Sequence, residues 1–394
     1  MSSAAAEQRA GSARVPLWRI AREWTRIGLT GFGGPPAHIA LLRRLMVERE
    51  GWVQPVDFED ALAACNLLPG PASTQLAIFC AYRAGGPLGA LVGGLGFVVP
   101  AVVAVLALSV LFLAHKPPLW VRGAGAGAGA AVAAVAARAG LDLLGSSFAR
   151  GRELRTPALA WLAFLFAGAV GAAVAGVHLV LILLACGVAG VALARERRAE
   201  ARAPDDGVVA LAPLAVVKGG YGALAWTALK VGGLAFGGGF VIVPLMRADA
   251  VHAYHWMSDA RFLDAVALGQ ITPGPVVATV AAVGYAAHGI AGGVLAAAVA
   301  FAPSFGFVLA GGARFALVRR NATARAFLSG AGPAAIGAIL GAAIVLAVAL
   351  DHGWQFAVLA AASAALLLLR RGIVATMLLA GGVGVIVALL GASV

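Results

Sequence analysis

Charge is scarce in this sequence. Asp, Glu, Lys and Arg make up 12% of its 394 residues, where a soluble domain carries about 25%. So little charge cannot coat a soluble globule of this length, which excludes the two or three soluble domains that length alone would allow. Strand-like alternation punctuated by turns is missing too, which excludes a membrane barrel. There are three cysteines, Cys65, Cys80 and Cys186, each in or beside an apolar segment and with no CxxC or Cys/His pairing. They read as small packing residues, neither disulfide-forming nor metal-binding. His252 and His255 have helical spacing but sit in a mixed polar stretch, where an interfacial loop is a simpler reading than a metal site. No HExxH, P-loop or Gly-x-Ser-x-Gly elbow occurs, nor any strand–helix alternation of a nucleotide fold. An enzyme is therefore not expected, and neither a cofactor nor a resident metal. Residues 1–15 are rich in Ala, Ser and Arg without an apolar core, so no cleaved signal peptide is expected and the first 14 read as a disordered tail.

Long apolar runs are what the sequence does have. Gly86 to His115 carries no charge, and Ser329 to Leu350 is another such run. About 20 apolar residues span the hydrocarbon core as a helix, and backbone groups in lipid must be satisfied within the segment. The expected fold is an all-α polytopic membrane protein embedded in the lipid bilayer. The net charge of +12 is not gathered into a nucleic-acid-binding face. It falls in short clusters between apolar runs, such as Arg43 and Arg44, Arg150 to Arg155, Arg195 to Arg202, Arg314 to Arg325, and Arg370 and Arg371. Cytoplasmic loops obeying the positive-inside rule account for them, which implies the cytoplasmic (inner) membrane.

The sequence is one module written twice. Displaced by 204 positions, Gly28, Phe32, Gly33 and Gly34 fall on Gly232, Phe236, Gly237 and Gly238; Arg43 on Arg247, Trp52 on Trp256 and Asp60 on Asp264. Pro69-Gly70-Pro71 falls on Pro273-Gly274-Pro275, and Gly85, Gly89 and Phe97 on Gly289, Gly293 and Phe301. Gly and Ala match by accident in such a composition; Trp, Asp, Arg and a Pro-Gly-Pro triplet in one register do not. The expected organisation is a first repeat over residues 15–194, a charged linker over 195–207 and a second repeat over 208–394. Basic loops follow even-numbered apolar segments in the first half and odd-numbered ones in the second. That reversal points to two homologous helical repeats of inverted topology, the arrangement of many secondary transporters.

Two interruptions per repeat are where chemistry can reside. In Pro69-Gly70-Pro71 and Pro273-Gly274-Pro275 the prolines remove amide donors, so the helix breaks. Such broken or re-entrant helices persist at membrane depth only where protein or a polar cavity surrounds them. The helix that restarts offers free N–H groups to an anion; a simple kink is the competing reading. The stretches around Gly33, Gly34, Gly237 and Gly238 can form an anion-binding nest or serve close packing, while the spaced Gly85, Gly89 and Gly93 read as packing. Asn66 and Gln270, with Ser73, Thr74 and Thr272, offer hydrogen bonds beside the breaks. Arg26 and Lys230 form a matched pair of cations six residues before Phe32 and Phe236. A cation at membrane depth costs roughly 2.5–3.5 kcal/mol, which a divalent anion in the same site would offset; snorkelling to the interface is the alternative. Since Asp142 is the one acid well inside an apolar run, Arg26 and Lys230 are expected to neutralise a dianion, and the clusters at Arg150 and Arg370 to serve topology alone. Arg43 and Arg247 are a second basic pair, read as interfacial. Asp60 and Asp264 stand nine residues before their breaks and are candidates to carry protons, or else helix-start acids.

At Phe32-Gly33-Gly34-Pro35 with Phe236-Gly237-Gly238-Gly239-Phe240, and at Leu68-Pro69-Gly70-Pro71 with Ile271-Thr272-Pro273-Gly274-Pro275, the sequence resembles the chromate ion transporter family in its long two-domain form. Gln75-Leu76-Ala77 leading to Tyr82-Arg83-Ala84-Gly85-Gly86 is similar as well, and the resemblance runs from about Val15 to the end. It implies export of chromate, or a related tetrahedral oxyanion such as sulfate, driven by protons; a homodimer is compatible with it. Ala287 in place of Arg83 and Phe240 in place of Pro36 depart from strict equivalence of the two repeats. A sulfate or other anion carrier, and a membrane scaffold without transport of its own, remain as alternatives.

Overall fold

The computed structural model describes residues 14–66, 68, 70–114, 116–174, 178–199, 219–235, 240–311 and 322–393. Among these it is helical throughout, with fourteen α-helices and no strand. The first repeat holds α1 (Leu17–Thr30), α2 (Pro35–Arg43), α3 (Pro55–Cys65), α4 (Ala72–Phe112), α5 (Leu119–Glu153), α6 (Ala158–Val174) and α7 (Leu179–Ala199). The second holds α8 (Gly220–Leu234), α9 (Ile242–Arg247), α10 (Asp259–Ile271), α11 (Thr279–Gly311), α12 (Ala322–Val348), α13 (Gly353–Ser363) and α14 (Ile373–Leu389), in the same order. The expected linker and tail, 195–207 and 1–14, fall largely outside the described residues.

Local chemistry sets where these helices start and turn. Pro35-Pro36 and Pro55 open α2 and α3, positions where the missing N–H costs nothing. Both α2 and α9 run on as π-turns, Arg44–Arg49 and Ala248–Ala253. Helix α4 is two helices folded back on each other at Gly86 (φ 70°, ψ −158°), followed by Pro87. That left-handed backbone suits glycine and no side chain. The fold-back is tight: a Cβ on Gly89 would lie 2.5 Å from the Ala81 carbonyl oxygen. Helix α11 turns in the same way at Gly289 (φ 65°, ψ −156°). The spaced glycines are thus packing residues, as their spacing implied.

Helices α5, α7 and α12, and the two-part helices α4 and α11, are long and apolar enough to cross a membrane. The first halves belong to a different motif. Arg83 on α4 lies 3.7 Å from Asp57 at the start of α3, and Gly269 on α10 packs against Thr279 at the start of α11. Gly70-Pro71 and Gly274-Pro275 are therefore the buried tips of re-entrant hairpins, α3 with α4 and α10 with α11. A plain kink does not describe them.

Beyond the tips the register differs from the ungapped 204. Gly86 and Gly289 share one backbone geometry, and Gly28 and Gly232 press on the carbonyls of Phe97 and Ala300. Structural equivalence there is offset by 203, so Gly85–Gly289 and Phe97–Phe301 are sequence matches displaced by one residue. The cause is the 3-10 turn Val276–Ala278: its rise of about 2.0 Å per residue covers in three residues what an α-helix covers in four.

The repeats are antiparallel. Residues 139–150 of α5 share a cavity with 328–339 of α12, while the α12–α13 junction (Ala349, Asp351) shares another with Arg122 to Gly129 at the start of α5. Equivalent helices α5 and α12 thus run in opposite directions, as the charge reversal implied. The repeats also interlock: α5 packs on α13 and α14 of the other repeat, and α12 on α6 and α7. Pairs of glycines close these contacts, Gly123 on Gly384 and Gly330 on Cys186 and Gly190. One consequence is that Arg150, Arg325 and Arg370, which sequence spreads over both halves, gather at one end of the molecule.

Candidate functional site

The interruptions of both repeats converge at the centre. Gly70 (φ 116°) and Gly274 (φ 97°) form the hairpin tips. Each tip meets the opposite repeat: Gly70 faces the Gly232 carbonyl and Ser304, and the Gly274 N–H donates to the Gly31 carbonyl at 3.1 Å. Gly31 ends α1 and, with Gly33 (φ 102°) and Gly34 (φ 73°), turns the backbone into α2. His38, wholly buried on α2, locks this corner. Its Nε2 lies 2.9 Å from the Gly31 carbonyl and its Nδ1 3.4 Å from Ser73 Oγ, with the ring edge-on to Phe97. In the sequence, His38 is marked only as a polar residue one turn into a proline-started helix.

A cavity of ≈ 410 Å³ opens beside the tips. Gly33, Gly34, Asn66, Gln270, Thr272 and Gly274 line it, so residues chosen from sequence 200 positions apart do share one space. Its opposite wall is α5, through Arg138, Asp142, Ser146, Ser147 and Arg150. No sequence motif marks Arg138, Ser146 or Ser147; from sequence Asp142 stands out only as an acid inside an apolar run, and Arg150 reads as a topology residue. Gln270 is buried and its Nε2 has no hydrogen-bond partner among the described residues. Leaving such a donor unmade costs about 1–3 kcal/mol, so the position calls for an acceptor. Arg138 donates from Nε to both Asp142 oxygens at 2.7 and 2.8 Å and from Nη1 to the Leu366 carbonyl. A guanidinium has five donors, so others are left for an anion. Wall and tips together offer two guanidiniums against one carboxylate, an amide donor and hydroxyls: an environment for a compact oxyanion.

Other sequence candidates lie elsewhere. Lys230 does have an internal partner: its Nζ is 2.5 Å from Asp249 Oδ2, which also accepts from Thr227 Oγ1 at 2.7 Å, and Asp249 is 2% exposed. The expectation of an unpaired cation is corrected. Asp249 sits in the π-turn after α9, and only the folding of that turn against α8 brings it to Lys230. The first repeat buries its acid from the other side: Glu23, at the position of Thr227, pairs with Arg49 of the π-turn at 2.6 Å and with Arg22 at 2.9 Å. Arg26 is exposed on α1 and does not line the cavity. Arg43 pairs with Glu59 and Arg247 with Asp259, each at 2.7 Å, tying α2 and α9 to the helix that follows. Ser73 faces His38, the Thr74 hydroxyl is buried without a partner among the described residues, and Thr272 Oγ1 donates back to Leu268 at 2.9 Å. Pro71, Pro273 and Pro275 flank the tips; Pro69, Gly237 and Gly238 lie outside the described residues. Asp60 is half-buried on α3, and Asp264, on α10, presses its carboxylate against Gly125 of α5.

Known proteins match this duplicated architecture. The chromate transporter family profile matches twice, over residues 18–191 and 222–386. A chromate transport protein of Cupriavidus metallidurans is 34% identical over 84% of this chain and 82% of its own. One from Pseudomonas aeruginosa is 32% identical over 82% and 79%. An uncharacterized transporter of Methanocaldococcus jannaschii is 24% identical over 73% of each chain. No solved structure matches. With crossing helices, two homologous inverted repeats and that agreement over nearly its whole length, this multi-pass ion transporter belongs to the chromate transporter family.

Proposed function

We propose that the central cavity binds chromate, or a related tetrahedral dianion, for export across the cytoplasmic membrane. The observation that carries this is the Gln270 donor, unpaired among the described residues, at a re-entrant tip opposite the guanidiniums of α5. A dianion would accept from Gln270 and from Arg138, and Arg150 at the rim would draw it in. Lys230 and Arg26, first candidates by sequence, hold a lesser place here, because Asp249 already neutralises one and the other is exposed. The printed names of the two bacterial relatives support chromate as the substrate. Basic loops gathered at the cavity's end support a cytoplasmic opening.

Export is proposed to draw on the proton gradient, with Asp264 as the first candidate carrier and Asp60 as the second. Asp264 stands six residues before Gln270 on α10, about 9 Å along one helix, and lines a second cavity. Flux of labelled chromate and sulfate into inside-out vesicles tests the reading. Chromate uptake that rises with an imposed pH gradient is expected, with sulfate as a competitor. Uptake of sulfate alone would mark a sulfate carrier, and uptake of neither would leave the cavity without its assigned ligand.

A further inference from the structure

The second cavity, ≈ 500 Å³, lies at the other end of α5 and α10. It is lined from α5 by Arg122, Gly125, Ala126 and Gly129, from α10 by Arg261 and Asp264, and from the connecting loops by Lys116 and Asp351. Both cavities thus share the same two helices. The central one touches α5 from Arg138 onward and α10 at Gly269 and Gln270; the second touches α5 up to Gly129 and α10 up to Asp264. Between them α5 presents Ala130 to Ala136, every residue at most 4% exposed. From Gly129 to Arg138 is about 14 Å of helix, roughly half the ~30 Å of a hydrocarbon core.

We propose that the second cavity is the vestibule on the far face of the membrane, collinear with the central cavity, and that, among the described residues, Ala130 to Ala136 of α5 and Ala265 to Leu268 of α10 form the barrier between them. Its cations, Lys116, Arg122 and Arg261, outnumber its carboxylates, Asp264 and Asp351, as they do in the central cavity. A site that must release a dianion to the far side needs that balance: enough positive potential to admit the ion, with carboxylates close enough to keep it from being held. Arg261 is fixed by a 3.2 Å bond to the Ala114 carbonyl just after α4 and Gln355 by one of 3.3 Å to the Ala126 carbonyl of α5, so the vestibule wall is tied to both helices. The identity of the anion rests on the oxyanion reading above; the position of the vestibule does not.

The test is single-cysteine labelling with a membrane-impermeant thiol reagent, in spheroplasts and in inside-out vesicles, after replacing the three buried native cysteines by alanine. Ala139→Cys should react only from the face that bears Arg150, and Ala126→Cys only from the face that bears Asp351. Ala133→Cys, in the barrier, should react at least tenfold more slowly from either side. Ser146→Cys and Ala349→Cys serve the same two cavities if either first variant fails to reach the membrane. Reaction of Ala126→Cys and Ala139→Cys from one common face, or reaction of Ala126→Cys no faster than Ala133→Cys, overturns the proposal. Sulfate is the protecting anion, since chromate oxidises thiols. If the two faces are as expected but sulfate slows neither reaction, the vestibule stands and the oxyanion reading fails.

Discussion

Gln270 and Lys230 call for opposite treatment although both are polar groups inside an apolar fold. Gln270 has a donor with nothing to bond among the described residues. Gln270→Leu should leave thermal stability in detergent unchanged or slightly raised, because an unsatisfied buried donor is removed. Anion affinity should fall about tenfold to a hundredfold, the equivalent of one hydrogen bond to a charged group. A binding titration beside a melting curve separates the two. Lys230 is half of a closed pair, so Lys230→Met leaves Asp249 buried and uncompensated. The expected result is a loss of about 3–5 kcal/mol, seen as low membrane levels. Adding Asp249→Leu should recover much of it. Normal levels of the single variant would mean that water reaches Asp249.

The hairpin is the element on which the site depends. Re-entrant tips carry Gly70 and Gly274, and the glycine turns at Gly86 and Gly289 return the chain to a full crossing. Gly86→Ala puts a side chain on a positive-φ backbone that essentially only glycine adopts, at a cost of about 1–3 kcal/mol, and should lower the melting temperature without changing substrate preference. Helix α10 joins one cavity to the other, with Asp264 at one and Gln270 at its neighbour. Asp264→Asn should therefore abolish the dependence of flux on the pH gradient, whereas Asp60→Asn should keep it. Gradient-dependent flux in both variants, and in the double variant, would exclude these carboxylates from coupling. The hairpins were half legible: two prolines around a glycine announce a break, but whether the chain kinks or folds back depends on what the tip meets.

Interlocking makes the two repeats a single folding unit. Helices α5 and α12 each find their partners in the other repeat, so residues 1–199 expressed alone should be degraded. Co-expression with residues 200–394 should restore a complex that survives purification through a tag on one half. Stable, separately purified halves would refute the interlock. The inversion carries its own check. Arg152→Cys, in the last turn of α5, and Asp351→Cys, in the connection after α12, stand at equivalent helix ends and should be labelled from opposite faces.

Composition and periodicity determined the membrane, the helices and the duplication, because apolar length and a repeated Pro-Gly-Pro are properties of the chain itself. They also determined inversion, since the positive-inside rule writes orientation into loop charge. Partnership was a different matter. Arg138 reads as one arginine in an alanine-rich helix, and Asp249 as a loop acid 19 residues from Lys230. Whether a charge is neutralised inside the protein or left for a ligand depends on which helices lie within a few ångströms. That was decided by the antiparallel interlocking of the repeats, which set α5 against the hairpin tips and the π-turn against α8.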